Sequence, residues 1–269
     1  MTDRQLPLII EPEDLQSIAS QSDNLIIVDL CSEPNYMSGH IPGAIHVSPA
    51  EIVLGVPPAP GKLPEVERLN SVMTRIGLTP ESHVIAYDDE GGGWAGRFIW
   101  TLDVIGHAHS SYLNGGLTAW KQAGLELTTD IPNPAPQPNS VTIHHEPILN
   151  KDEILTALAQ PNFMVWDARS ADEYSGQRQT AQRNGHIPKA VHCEWTELMD
   201  QNAGLRIRKD VAAYIEAKGI TADKLIATHC HSHHRSGLTY LVGKSLGLNI
   251  KAYPGSWSEW GNDPLTPVE

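Results

Sequence analysis

The chain has 269 residues, enough for one large or two ordinary domains, and its 40% apolar and 19% charged residues are the balance of a globular protein. No uninterrupted apolar run approaches the roughly 18 residues of a membrane span, and the N-terminus lacks a basic region followed by an apolar core, so neither a membrane span nor a secretory signal is expected. A net charge of −13 argues against nucleic acid or an anionic membrane surface as partner, and three cysteines are too few, and odd in number, for a disulfide framework, which fits a reducing cytoplasm.

A short helix is expected around Pro12 to Ala19, then a strand over Leu25 to Leu30 that carries Asp29. Gly39-His40-Ile41-Pro42 follows, with a second short strand at Ile45 to Val47. Gly55 to Pro64 is rich in Pro and Gly and reads as a loop. Helical spacing runs from about Glu65 to Ile76, and His83 to Tyr87 is the next apolar run. Beyond Asp88-Asp89-Glu90-Gly91-Gly92-Gly93, a helix places Phe98, Ile99, Leu102 and Ile105 on one face. Asn114-Gly115-Gly116 is a turn, and Leu117 to Gln122 a last short helix. The alternating prolines of Ile131 to Ser140 favour an extended, semi-rigid chain, so 131–142 is read as a linker between domains at 1–130 and 143–269.

After the linker the pattern repeats at an offset near 140 residues. Asn24-Leu-Ile-Ile-Val-Asp29 returns as Asn162-Phe-Met-Val-Trp-Asp167, and Gly39-His-Ile-Pro returns as Gly185-His-Ile-Pro. Val84-Ile-Ala returns as Leu225-Ile-Ala, Gly96 as Gly237, and Gly115 with Trp120 as Gly255 with Trp260. So many ordered coincidences indicate a tandem duplication of one α/β domain. Each unit alternates short strands with helices, which predicts a parallel sheet covered by helices on both faces, with ligands bound beyond the carboxyl ends of the strands.

The two copies differ where chemistry would occur. Leu225 to Thr228 reads as a buried strand, and Leu238, Leu241, Val242 and Leu246 as the face of a helix. Cys230 and Arg235 lie in the turn between them, so a thiol sits at a helix N-terminus, where backbone N–H groups favour a thiolate or an anion. Alignment of the copies puts Asp89 opposite Cys230, Trp94 opposite Arg235 and Cys31 opposite Arg169. One active and one structural unit are therefore expected, with Asp89 repelling any anion from the first loop. Charge follows the same division: residues 1–142 carry a net −11 and residues 143–269 a net −2, and eight of 13 histidines lie in the second half. An anionic substrate meets less repulsion there.

Both Gly-His-Ile-Pro motifs, Asp167-Ala-Arg169, Gly255-Ser-Trp257-Ser-Glu-Trp260 and the single Cys-centred loop make the whole chain resemble a tandem-domain rhodanese, a thiosulfate sulfurtransferase. The resemblance implies that Cys230 accepts sulfane sulfur as a persulfide and passes it to cyanide or a thiol, including a protein thiol, with no further cofactor. It implies that Arg235 closes the anion loop, that Arg169 and Arg183 position the small anionic donor, and that Trp195 faces the pocket, at the interface between the packed domains. The loop is Cys230-His231-Ser232-His233-His234-Arg235, like a bacterial subgroup ending in His-His-Arg, and departs from the Cys-Arg-Lys-Gly and Cys-Gly-Ser-Gly patterns of other members. With no Lys beside Cys230, cationic help would come from Arg235 and from His231, His233 or His234 when protonated, while Ser232 completes the loop. 3-Mercaptopyruvate as donor and persulfide delivery to a partner protein stay open.

Two other readings compete. Cys-dependent phosphatases and arsenate reductases have five residues between Cys and Arg, whereas four separate Cys230 from Arg235, a tighter ring suited to one sulfur atom. A zinc module would use His229, Cys230, His231, His233 and His234, but consecutive residues in one tight loop do not readily turn to one centre. Cys31 and Cys193 read as inert core residues, His40 and His186 as braces of their turns, Asp29 and Asp167 as structural acceptors, and Trp257 and Trp260 as core.

Overall fold

The computed structural model describes residues 6–19 and 24–269. The first five residues of the stretch read for a secretory signal lie outside them. In the first unit β1 (Ile9–Ile10), α1 (Pro12–Ala19), β2 (Leu25–Asp29), α2 (Glu33–Ser38), β3 (Ile45–His46), α3 (Val66–Arg75), β4 (His83–Tyr87), α4 (Gly93–Val104), β5 (Ser110–Leu113) and α5 (Gly116–Gln122) follow in order. The second unit has α6 (Lys151–Ala157), β6 (Phe163–Asp167), α7 (Ala171–Tyr174), β7 (Val191–His192), β8 (Met199–Asp200), β9 (Arg206–Ile207), α8 (Val211–Ala217), β10 (Leu225–His229), α9 (Arg235–Ser245), β11 (Ile250–Ala252) and α10 (Ser256–Trp260).

The two sheets have the same plan. The first is ordered β1-β5-β4-β2-β3 and the second β11-β10-β6-β7, all parallel, with a parallel bridge from Ile148 to Ala252 in the place of β1. Strands β4 and β10 are central and buried except at their first residue, which explains their unbroken apolar runs. Register places Asp167 beside His229 at the carboxyl ends of β6 and β10, and the loop carrying Cys230 begins one residue later. The short β1, β5, α2 and the antiparallel pair β8–β9 lack a strong period and have no counterpart in the sequence reading. Residues 131–142 contain no helix or strand, but the segment is pinned along α3: Gln137 N–H donates to Thr74 O at 3.1 Å and Val141 N–H to Asn70 Oδ1 at 2.7 Å.

The units share one apolar core, running from Val28, Phe98 and Trp100 to Trp166, Leu238 and Ala252. Its centre is the crossing of α4 and α9. A Cβ on Gly96 would lie 2.5 Å from the carbonyl carbon of Gly237, and one on Gly237 would lie 3.0 Å from Arg97 Cα. The equivalent glycines of the repeat thus let two helix backbones touch. This contact brings the loops before both helices into one place.

Candidate active site

Cys230 is 1% exposed and sits between β10 and α9. Burial alone opposes ionisation, but the Arg235 charge, the hydroxyl and N–H of Ser236, and His234 outweigh it, so the thiol ionises below its ordinary value. The Gly255-Ser256-Trp257 turn braces the loop from beneath: Trp257 N–H donates to Cys230 O at 3.0 Å and Ser258 N–H to His231 O at 2.9 Å.

Arg235 is held by a carboxylate that the sequence reading missed. Its Nη1 and Nη2 donate to Glu173 Oε2 and Oε1 at 2.6 and 2.9 Å. Glu173 is buried, and burial alone would raise its pKa. The Arg235 bonds and charge, with Ser170, instead bring it down to about 2. The same carboxylate closes the capping box of α7, accepting from Ser170 N–H at 3.2 Å. Its counterpart in the first unit is Asn35, which donates to Asp89 Oδ2 at 2.5 Å.

The imidazoles of the loop point to different partners. His233 has a φ of +53°, and its buried ring contacts Ser236 Oγ through Nδ1 at 2.8 Å and meets Trp100 edge-on. Burial, with Arg97 and His234 nearby, holds it neutral. His231 and His229 are also lowered, first by burial. His234 differs: burial would lower it, but the Nε2 bond to Glu90 and the negative charges around it raise its pKa. Among the described residues no group of three or more His, Cys, Asp or Glu side chains is placed to hold a metal ion.

The first unit's loop is shut by its own chain. Asp88 Oδ1 accepts from the N–H groups of Glu90, Gly91 and Gly92 at 3.2, 3.1 and 2.8 Å, and Oδ2 accepts from Ala95 at 2.9 Å. Asp88, rather than Asp89, therefore occupies the anion cradle, and Asp89 turns outward to Asn35. Burial and the Glu90 charge raise the Asp88 pKa to about 6 against the pull of these N–H groups.

A Rhodanese-like domain model matches residues 11–123 and 150–263. The chain belongs to the rhodanese family. It is 53% identical over 265 residues to the thiosulfate sulfurtransferase of Azotobacter vinelandii, covering 98% of this chain and 97% of that protein. It is 50% identical to the thiosulfate sulfurtransferase of Pseudomonas aeruginosa, with the same coverage. A solved structure of EanB with ergothioneine superposes with a TM-score of 0.87 at 21% identity, covering 97% of this chain and 70% of that one, which bears on the fold.

Within this rhodanese the predicted site residues are not all brought together. Cys230, His231, Ser232, His233, His234 and Arg235 form the loop, and the Trp195 ring lies 5.7 Å from that of His234. Arg169 is fully buried: it chelates Asp167 with bonds of 2.6 to 3.0 Å, donates to Gly185 O at 2.9 Å and lies over Trp257. That arrangement makes it an internal strut with only Nη1 uncommitted. Arg183, expected to position the donor, is spent on the C-terminal segment instead. Its guanidinium donates to the carbonyls of Trp260 at 2.8 Å and Thr266 at 2.6 Å and to that of Asp263. Cys31 and Cys193 are buried and form no disulfide, with Cys193 pushed by burial up to about 12. His40 and His186 stack on Tyr36 and Tyr174 and bond their carbonyls at 2.9 and 3.0 Å. The residues the sequence reading missed, Glu173 and Ser236, stand opposite Asn35 and Ala95 in the repeat, so the internal comparison held their signal.

Proposed function

We propose that the protein is a thiosulfate sulfurtransferase working through a persulfide on Cys230. The observation that carries this reading is a buried thiol whose ionisation is favoured by Arg235, Ser236 and His234 despite desolvation. The names of the relatives at 50 and 53% identity point the same way. The Cys230 thiolate attacks the outer sulfur of thiosulfate. The S–S bond breaks, sulfite leaves with the electron pair, and Cys230 keeps the sulfur as a persulfide anion. Cyanide or a thiolate then attacks the terminal sulfur, and its product leaves as the Cys230 thiolate is restored. Arg235 and the loop N–H groups stabilise the negative sulfur in both steps. Three charges of the first half, Arg97, Glu90 and Asp88, lie around the same loop, so the two units work as one. No helix among the described residues is long and apolar enough to cross a membrane, and three unpaired thiols suit a reducing compartment such as the cytoplasm.

Incubation with thiosulfate should add the mass of one sulfur to Cys230, and cyanide should remove it as thiocyanate. Cys230→Ala should take up no sulfur; uptake by that variant would end the assignment. Parallel incubation with 3-mercaptopyruvate separates the two donor classes.

A further inference from the structure

The loop of the first unit has lost its thiol but has kept contact with the second unit's chemistry. Glu90 lies three residues before Gly93, in the stretch whose N–H groups enclose Asp88. Its carboxylate reaches across the unit boundary and bonds Nε2 of His234. Trp94, from the first turn of α4, stacks on the same imidazole with ring centroids 4.3 Å apart and planes 20° apart. Trp195 closes the other approach at 5.7 Å. Gly93 leaves the space: a Cβ there would lie 2.6 Å from His234 Nε2 and 2.9 Å from Glu90 Oε1. Trp94 is the residue standing where the second unit has Arg235, so both features peculiar to the inactive loop are turned onto one histidine of the active loop.

We propose that Glu90 is a positioning residue for the second unit's chemistry, fixing His234 as an imidazolium beside Cys230 so that, with Arg235, two cations flank the sulfur. This rests on the sulfurtransferase reading for its purpose, though not for its geometry. The groups facing His234 agree with the charge. Glu90 and Asp88 come from the first unit's loop, and Cys230 faces it from its own; all three favour the cation. Against it stand burial and the positive groups nearby: Arg235 beside Cys230, and Arg97, whose charge falls on the neutral His233. Trp94 and Trp195 are uncharged and cover part of the imidazole, while the His234 and Glu90 side chains stay partly exposed. The coupling is reciprocal: the imidazolium lowers the Cys230 thiol, and the thiolate raises His234. As pH rises through the His234 midpoint the cation is lost, and the thiolate loses one of its two partners.

The test uses the full chain with Glu90→Gln, His234→Gln and the double variant. Glu90→Gln keeps the size and a hydrogen bond but removes the charge. Two readouts are followed across pH: the His234 ring signals by NMR, and alkylation of Cys230 by iodoacetamide. Glu90→Gln is expected to move the His234 midpoint down and to slow alkylation at neutral pH by about three- to tenfold. His234→Gln should slow it comparably, and the double variant no further. The proposal is overturned if Glu90→Gln leaves both profiles in place, or if it slows alkylation equally in the His234→Gln background. Sulfur uptake from thiosulfate by the unaltered protein is measured separately. Uptake with unmoved profiles removes the role of Glu90 alone; moved profiles without uptake remove the sulfurtransferase reading alone.

Discussion

The backbone N–H of Ala95 donates to the Asp88 carboxylate at 2.9 Å, and its counterpart in the repeat, Ser236, gives its N–H to the Cys230 sulfur. One loop architecture thus holds a fixed carboxylate in the first unit and a reactive thiol in the second. The backbone conformation is shared as well, since Gly92 and His233, at equivalent places, both have positive φ, +102° and +53°. Duplication explains why the anion cradle exists twice, and the Asp88 carboxylate fills the first copy.

Asp88 is therefore a structural plug. Asp88→Ala would strand four N–H groups, those of Glu90, Gly91, Gly92 and Ala95, at or near a buried surface. A loss of roughly 2–4 kcal/mol is expected, since water can reach only part of the loop. Urea unfolding at neutral pH measures it. A variant as stable as the original would show that these bonds contribute nothing net.

Glu173 ties acid sensitivity to the active loop. Its folded pKa of about 2 lies below the ordinary glutamate value of 4.5. A depressed carboxyl contributes stability above its unfolded value and loses it as pH falls through the folded one. The protein should therefore lose stability, on the order of 2–3 kcal/mol from this group, between about pH 4.5 and 2. Glu173→Gln should flatten that part of the profile. Glu173→Ala should cost about 2–4 kcal/mol near neutrality by leaving the partly buried Arg235 without its partner, and should slow sulfur uptake as Arg235 loses its orientation. Melting temperature followed against pH for the three proteins distinguishes these outcomes.

Arg183 offers the opposite case, a residue tied to stability rather than to the donor. Its guanidinium satisfies carbonyls of Trp260, Asp263 and Thr266, which close the C-terminal segment over α10. Arg183→Ala should destabilise by roughly 2–4 kcal/mol. The KM for thiosulfate should stay within about twofold of the original. A large rise in KM at unchanged stability would return Arg183 to the donor site.

The fold was legible because its signals are local or periodic. The buried runs at His83–Tyr87 and Leu225–His229, the paired Gly-His-Ile-Pro motifs and Gly96 with Gly237 recur at a fixed offset, and they mark two copies of one α/β unit, whereas the strand order is set by pairings that no motif records. Cys230 and Arg235 were legible because six consecutive residues at a strand–helix junction must form one loop. Glu173 was hidden because Ser170-x-x-Glu173 already makes sense as a helix cap, and nothing in that spacing points to Arg235, 62 residues on. Arg183 misled because its partners lie 77 to 83 residues away, where only the folded chain returns. Glu90 and His234 are 144 residues apart, and a contact across units leaves no pattern within either.

The helix crossing that creates this cross-unit contact is itself testable. Gly96 and Gly237 face each other where α4 meets α9, so the distance between Glu90 and His234 is set by how closely the two backbones approach. Gly96→Ala would drive a methyl group to 2.9 Å from Leu238 N and 2.5 Å from the Gly237 carbonyl carbon. Real Cβ contacts do not tolerate such distances, and the opposing atoms are backbone that cannot rotate away. The helices must separate, at a cost of roughly 1–3 kcal/mol or more from overpacking. A rigid shift of the units should also loosen Glu90 from His234 while leaving the loop's own bonds, such as Arg235 to Glu173, in place. Gly96→Ala is thus expected to lower the melting temperature and, at temperatures where it stays folded, to slow alkylation of Cys230 in the manner of Glu90→Gln. A variant that melts earlier but alkylates at the original rate would show that the crossing supports stability without setting the geometry of the site.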